Sequence, residues 1–472
     1  MAKLWEKGYQ LNELIERFTV GRDYLLDREL VYADCLAGAA HARMLASAGL
    51  IEAQEAAALT SGLAGIAAAA RNGEFTVRRE DEDCHTALEV ALTEGLGEVG
   101  KKIHTGRSRN DQVLAALRLY AKEGLHLLQA ALQHLTAVLL RRAEEEKATP
   151  MPGRTHLQIA MPSTVGLYLA ALAEESLDNL ELLEAVYRQI DRNPLGSAAS
   201  YGTPLPLDRE MTATLLGFEE VHNNVLATQH ARGRSEGIIL GVCEQIGLTL
   251  SRYASDLIIL SLPEVGYFAL PQQLCSGSSI MPQKRNPDGL ELIRGKAASL
   301  SGRAQSVRGV MHALPAGYNR DLQETKEPLM RGLREAIDMV LVMAVTMEQL
   351  EVNRDRLEGA LSAELFATDA AYDRVRGGMS FRDAYRAVAS SVEAVEVPAF
   401  ENALAQRTST GAPGNLNLRR PLERLGAARA RLSERFRRHR QAAETLLPES
   451  LPLYPLTAED DALLSRESSQ SG

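Results

Sequence analysis

Leu114, Leu117, Ala121, Leu125, Leu128, Leu132, Leu135 and Leu139 follow one another at steps of three and four, with polar residues between them. That is the period of an apolar stripe on one face of an α-helix. It predicts a helix from about Asp111 to Glu146, on the order of 50 Å long at ~1.5 Å per residue. Similar stripes follow Ser163 and run from Leu226 to Leu260, from Pro287 to Leu314 and from Glu327 to Leu350. Proline removes a backbone donor and clashes with the preceding helical turn, and its distribution agrees. None precedes Pro150, none lies between Pro206 and Pro263, and none between Pro328 and Pro398. The pattern predicts an all-α fold in three domains: shorter helices over 1–104, a central long-helix bundle over 105–355, and a small helical domain over 356–472.

Composition sharpens this. Aromatic residues are only 5% of the 472-residue chain, while Ala, Leu, Glu and Arg dominate, and these lose least on entering a helix. No apolar run approaches the ~20 residues of a membrane span, and MAKLWEKGYQLNELIERF lacks the uninterrupted apolar stretch of a secretory signal. A cytoplasmic location and no membrane partner are the expectation. The net charge of −10 repels nucleic acid. Cys35, Cys84, Cys243 and Cys275 are far apart and never in a CxxC arrangement, which argues for buried reduced thiols rather than a metal cluster.

Candidate chemistry gathers in three clusters. HTGRSRNDQ, 104–112, precedes the leucine-striped helix, with Asn110 as candidate N-cap, Asp111 in the first turn and Ser108 beside them. A plain cap explains those three residues, but two arginines in a Gly/Ser turn at a helix start also suit a carboxylate or phosphate. GRTHLQIAMP, 153–162, carries Thr155, His156 and Gln158 just before a proline and the next helix. A lone histidine is more often structural; at a loop-to-helix junction it is also a candidate for proton transfer. SGSSIMPQKRNPDGLELIRGK, 276–296, combines Gly277, Ser278 and Ser279 with Lys284 and Arg285, and Asn286, Pro287 and Asp288 read as cap, first turn and dipole partner. A flexible polar loop would not call for GSS and QKRN together, and a serine held there is easier to ionise than in water. No phosphate loop, dinucleotide-binding glycine motif, HExxH or GxSxG occurs, so the chemistry requires side chains alone, with no cofactor and no metal.

GSSIMPQKRNP resembles the signature of the aspartase/fumarase superfamily. Together with HTGRSRNDQ, THLQ, NPLGS and GYNRDLQETKE, the chain is similar to the argininosuccinate lyase family in particular, from Leu4 to about Leu350, with ELFATDAAYDRV and SFRDAY extending the likeness. The resemblance implies a homotetramer whose helices fuse into a multi-helix core, with each active site built by several subunits around a small-molecule substrate. The implied reaction is reversible β-elimination of argininosuccinate to arginine and fumarate. Ser278 would be the general base, Lys284 and Asn286 would hold the adjoining carboxylate, and His156 with Glu291 would form a second proton-handling pair. His85 and Thr86 would line the site. Ser108, Arg109, Asn110 and Thr155 would contact the succinyl part, and Tyr318, Gln323 and Lys326 the amino-acid part.

The chain departs from the family pattern at Arg154, at NNVLATQHARGRSEG (223–237) and at FTVG (18–21). These departures keep open an N-acylated argininosuccinate or another succinyl amine, with His230, Arg232 and Arg234 as candidate readers of extra acceptor atoms. A non-catalytic structural protein of the same fold is a second alternative. The span Arg419–Arg440 holds nine arginines against two glutamates. It reads as a solvated or subunit-facing helix, or as a nucleic-acid surface. The closing SRESSQSG is expected to be frayed.

Overall fold

The leucine stripe closes into one uninterrupted helix, Arg109–Glu145, of 37 residues, about 55 Å long at ~1.5 Å per residue. The computed structural model describes residues 12–447. The first eleven residues, where most of the secretory-signal reading falls, and SRESSQSG lie outside the described residues.

Among the helices that precede the rod are α1 (Val31–Ser47), α2 (Ala53–Arg71) and α3 (Cys84–Leu96). The rod itself is α4. A hairpin of β1 (Pro150–Thr155) and β2 (Gln158–Thr164) then leads to α5 (Val165–Ile190), followed by α6 (Val225–His230), α7 (Arg234–Leu260), α8 (Asp288–Met311) and α9 (Lys326–Gln349). After these come α10 (Ala363–Arg376), α11 (Phe381–Ala389) and the long α12 (Arg419–Leu446). The strands form three two-stranded pairs and the rest is helical, as the periodicity predicts.

Alpha-helix α4 is buried on nearly every face because α1, α5, α9 and α12 all pack on it. Its neighbours alternate in direction. The turn after α5 returns to the first turn of α4, where Gly196 and Ala198 donate to Asp111. The start of α7 meets the end of α8, because the Gly233 Cα closely approaches Met311. The end of α9 lies beside the end of α4, where Arg142 donates to the Met347 carbonyl at 2.6 Å.

Two expectations are corrected. The stripe from Leu226 to Leu260 is not one helix but two, α6 and α7, broken at Gly233. Gly233 has φ +78°, and a Cβ there would stand 2.8 Å from Met311 Cγ, so only glycine fits both the turn and the contact. The described residues after 355 also do not pack as one separate unit. Residues 361–405 have small clusters of their own, around Leu365, Phe366 and Ala403 and around Ala371, Ala384 and Val388. Helix α12 instead returns to the bundle, and its Leu425, Ala428 and Leu432 join the main core. Its arginines meet acids of α5 and the following turn: Arg424 meets Glu174, Asp178 and Glu181, Arg431 and Arg435 meet Glu184, and Arg438 meets Asp191 and Glu219. Exposed pairs of this kind contribute ~0.2–1 kcal/mol each, so the apolar seam holds the helix and the charges set its register. These acids engage four of the nine arginines that a nucleic-acid surface would use.

Within the seam, His126 of α4 and His439 of α12 are fully buried, 5.7 Å apart between ring centroids. None of their ring nitrogens has a hydrogen-bond partner among the described residues. Burial, reinforced by Lys122 and nearby arginines, holds both well below the ordinary histidine range. Below about pH 6.5 the unfolded chain therefore binds more protons than the folded one, and stability falls as the pH falls. Each histidine is expected to steepen that loss by ~1.4 kcal/mol per pH unit. Urea unfolding across pH 5 to 8 should show the slope, and His439→Leu should flatten it.

Candidate active site

At the start of α4 the chain caps itself two residues earlier than the sequence suggests. Ser108, not Asn110, is the N-cap: its Oγ accepts from Asn110 N at 3.3 Å while its N–H donates to Asp111 Oδ1 at 2.9 Å. The other oxygen of Asp111 accepts from Gly196 N and Ala198 N at 3.0 and 2.9 Å. Burial raises this carboxyl despite those three donors. Asp111 is thus the clasp that fixes the NPLGS turn against Arg109 and Asn110. Arg109 reaches Glu82 and Asp83 at 3.3 and 3.4 Å. Asp83 also N-caps α3, accepting from both the N–H and the hydroxyl of Thr86 at 2.8 Å.

Behind this turn lies a buried charge network. His85 Nδ1 meets Asp34 Oδ2 at 2.7 Å, and its Nε2 is buried without a partner. Burial alone would lower this histidine, but the Asp34 carboxylate outweighs it and the net shift is upward. Lys326 lies 2.5 Å from Asp27 and 2.7 Å from Asp23. These acids overcome the burial penalty and raise its ammonium. Lys326 therefore faces inward, 1% exposed, rather than standing open to a ligand. Asp27, Cys84 and His85 bring donor atoms within 4.8 Å of one another, a spacing a metal ion could use, but the Lys326 ammonium already sits on Asp27.

Next to the network, Gln323 donates to the Thr19 carbonyl at 3.1 Å and Arg320 to the same oxygen at 2.9 Å, which brings the FTVG segment against the segment of Tyr318. His230 Nε2 accepts from Gly317 N at 3.2 Å. Arg232 is buried against Glu236 at 3.1 Å, so it is not free to read extra acceptor atoms.

The remaining candidates lie at the other end of α4. THLQ does not lead into a helix as expected. Thr155 and Gln158 are paired across β1 and β2, and His156 and Leu157 form the two-residue tip. Both have left-handed backbone, φ 52° and 62°, the conformation for which such turns normally use Asn-Gly. A leucine held there and exposed signals strain kept for a purpose. Arg154, the departure from the family pattern, clamps the hairpin by donating to Leu157 O at 3.0 Å and Tyr267 Oη at 3.1 Å.

The serine loop is closed at its feet by paired backbone bonds, Ser276 N to Asn286 O at 3.1 Å and Asn286 N to Ser276 O at 2.9 Å. Asn286 is therefore in a bridge and does not cap α8; Pro287 precedes the helix directly. Ser278 Oγ accepts from Ile280 N at 3.3 Å and Met281 N at 3.1 Å. Such donors favour an ionised oxygen. Lys284 and Glu291 are exposed nearby along the loop and in the first turn of α8. His156 and Glu291 form no pair within one chain among the described residues.

One chain thus sorts the candidates into two groups. Ser108, Arg109, Asn110, His85, Thr86, Tyr318, Gln323 and Lys326 gather at the start of α4. Thr155, His156, Ser278, Lys284, Asn286 and Glu291 gather where α4 ends. Sequence reasoning missed Asp34, Asp23, Asp27 and Glu82. Asp34 had a usable signal, a lone carboxylate in the otherwise apolar run VYADCLAGAA.

The family described as "Lyase" matches residues 11–302. The chain is 42% identical over 387 residues to an argininosuccinate lyase of Thermotoga neapolitana, covering 82% of this chain and 97% of that one. It is 42% identical over 417 residues to an argininosuccinate lyase of Sorangium cellulosum, covering 88% and 97%. An EDDS lyase solved in complex with formate shares the fold, with a TM-score of 0.78 at 24% identity over 98% of this chain and 97% of that one.

The strained hairpin tip gives a measurable outcome. Leu157→Gly should raise stability by about 1 kcal/mol in denaturant unfolding, since glycine adopts the left-handed backbone without strain. Unchanged or lower stability would count against strain at this turn.

Proposed function

This chain belongs to the lyase family and, within it, to the argininosuccinate lyases, and from that premise we propose how its residues divide the reaction. The enzyme is a carbon–nitrogen lyase that cleaves argininosuccinate reversibly to arginine and fumarate by β-elimination. The likeness to argininosuccinate lyases over most of the chain carries this assignment. The N-acylated alternative loses support, because Arg232 is tied to Glu236 and Arg154 to the hairpin. The non-catalytic alternative is also disfavoured, because Ser278, His156, Lys284 and Glu291 are all present.

In the proposed mechanism Ser278 Oγ takes the proton from the carbon beside a succinyl carboxylate. That carbon is a very weak acid, and charge builds on the carboxylate as the proton leaves, so fixed donors and cations there lower the barrier. Lys284 and Asn286 supply them, and the two N–H groups on Ser278 Oγ support its ionised form. The electron pair then expels the arginine nitrogen, with His156 and Glu291 handling the second proton. Arg109, Asn110, Ser108 and Thr155 hold the succinyl carboxylates. Tyr318 and Gln323 face the amino-acid end. Lys326 acts from behind, fixing Asp23 and Asp27, and Asp34 orients His85 and Thr86 stands beside it.

The proposal requires more than one chain. Groups held at opposite ends of a ~55 Å helix can meet only if another subunit runs alongside. A homotetramer with shared sites supplies that, without cofactor, nucleic acid or membrane. Exposed Leu248 and Ile259 on α7, Leu292 on α8 and Val342 and Val345 on α9 give the bundle an apolar outer face suited to such contact. A groove of 460 Å³ between the starts of α8 and the end of α9 belongs to the same face. Among the described residues no helix is long and apolar enough to cross a membrane. A cytoplasmic location is part of the proposal, supported by the free buried thiols of Cys35, Cys84 and Cys243.

Ser278→Ala is expected to reduce turnover by about 10³-fold or more, followed by the ultraviolet absorbance of fumarate. When Ser278→Ala and Arg109→Ala proteins are mixed and exchange subunits, about a quarter of the sites should regain both groups. No recovery despite demonstrated exchange would overturn the shared site and leave the family assignment standing.

A further inference from the structure

A cavity of 300 Å³ is lined by Gln189, Ile190, Arg192, His222, Arg234 and Ser235, among others. It lies where the end of α5, the strand pair after it and the first turn of α7 meet. None of these residues belongs to either group of candidate site residues, and Arg234, a candidate reader of an N-acylated substrate, lines this cavity instead.

Arginines predominate around this cavity, although the chain as a whole carries −10. Arg118, Arg192, Arg209 and Arg234 all bear on His222. Their partners are few. Arg209 donates only to the carbonyls of Leu195, Asn223, His222 and Asn193. Arg118, 3% exposed, donates to the Arg192 carbonyl and to His222 Nδ1, and its Nε has no partner. Arg234 has no side-chain partner among the described residues. The nearby acids are Glu220, 2.6 Å from Arg192, Glu236, which is held by Arg232 and also bears on Arg118, and Asp111 and Glu210, which bear on Arg209.

His222 is oriented by this arrangement. A guanidinium can only donate, so the 2.9 Å contact from Arg118 makes His222 Nδ1 an acceptor and leaves the proton on Nε2. The side chain therefore brings an N–H donor to a cavity already lined by two guanidinium groups and a hydroxyl. Forked guanidinium donors with a further N–H are what a phosphate group or a pair of carboxylates requires.

We propose that this cavity is a binding site for a small molecule carrying a doubly charged anionic group, separate from the elimination site. Arg192 and Arg234 make the contacts, His222 donates from Nε2, and Arg118 fixes His222 from behind. Burial, and then Arg118, Arg192, Arg209 and Arg234, push the empty His222 down to about 4. His222 therefore stays neutral in mild acid, with Nδ1 accepting from Arg118 and Nε2 donating to the ligand.

Titration calorimetry of the full-length enzyme with sulfate and with succinate at neutral pH tests this. Wild type should bind at least one of the two at this cavity; which one distinguishes an oxyanion ligand from a dicarboxylate. Arg192→Gln combined with Arg234→Gln should weaken that binding by roughly tenfold or more while fumarate release stays within about twofold. Arg192→Lys should retain most of the affinity, which controls for folding. His222→Gln, which can still accept from Arg118 and donate to the cavity, should keep most of the affinity. Equal binding by the double variant and wild type would overturn the proposal. So would displacement of the bound anion by fumarate in step with occupancy of the active site.

Discussion

A single helix of 37 residues cannot bring its own ends together, and α4 is held straight by neighbours on nearly every face. Everything attached to it inherits that separation. The turn carrying Arg109 and the hairpin carrying His156 are consecutive along the chain, yet the rod keeps them tens of ångströms apart by its length. The same rigidity fixes each of the two groups of candidate residues firmly. Sites built on rigid elements hold their geometry better than sites on loops alone.

What anchors the loops to the rod is buried charge. Asp111 clasps the NPLGS turn to the first turn of α4, Lys326 ties the start of α9 to Asp23 and Asp27, and Lys122 meets Asp191 at 2.5 Å near the end of α5. Burial pushes Lys122 down to about 8 even with that partner, so the pair contributes position more than stability. A buried ion demands one geometry, whereas an apolar contact tolerates several. The loops that carry the chemistry are placed by these clasps and not by the leucines, which supply the bulk of the burial.

The long helices were legible because their stripes are local and periodic. Leu114 to Leu139 predicted α4 to within two residues at its start. Their breaks were less legible. Apolar positions continue through Gly233, and only the approach of Met311 from α8 shows why the chain turns there. The hairpin at His156 was hidden because its tip lacks the Asn-Gly pair that marks such turns. The return of α12 was equally hidden, since its acidic partners Glu174, Asp178 and Glu184 lie more than two hundred residues earlier. The residue types at the site could be read from GSSIMPQKRNP and RSRNDQ. The side chains behind them, Asp34 above all, could not, because what identifies them is a contact between distant segments.

The paired backbone bonds between Ser276 and Asn286 have a thermodynamic side. They close the ends of the serine loop into a small ring, and closing a flexible segment of that size sacrifices a kilocalorie or two of chain freedom, growing only slowly with its length. Because the clip forms within the chain, that freedom is surrendered once, on folding. Under the proposed mechanism an incoming substrate meets a hydroxyl that is already oriented, and more of its binding energy remains for the strained, highly charged moment of bond breaking.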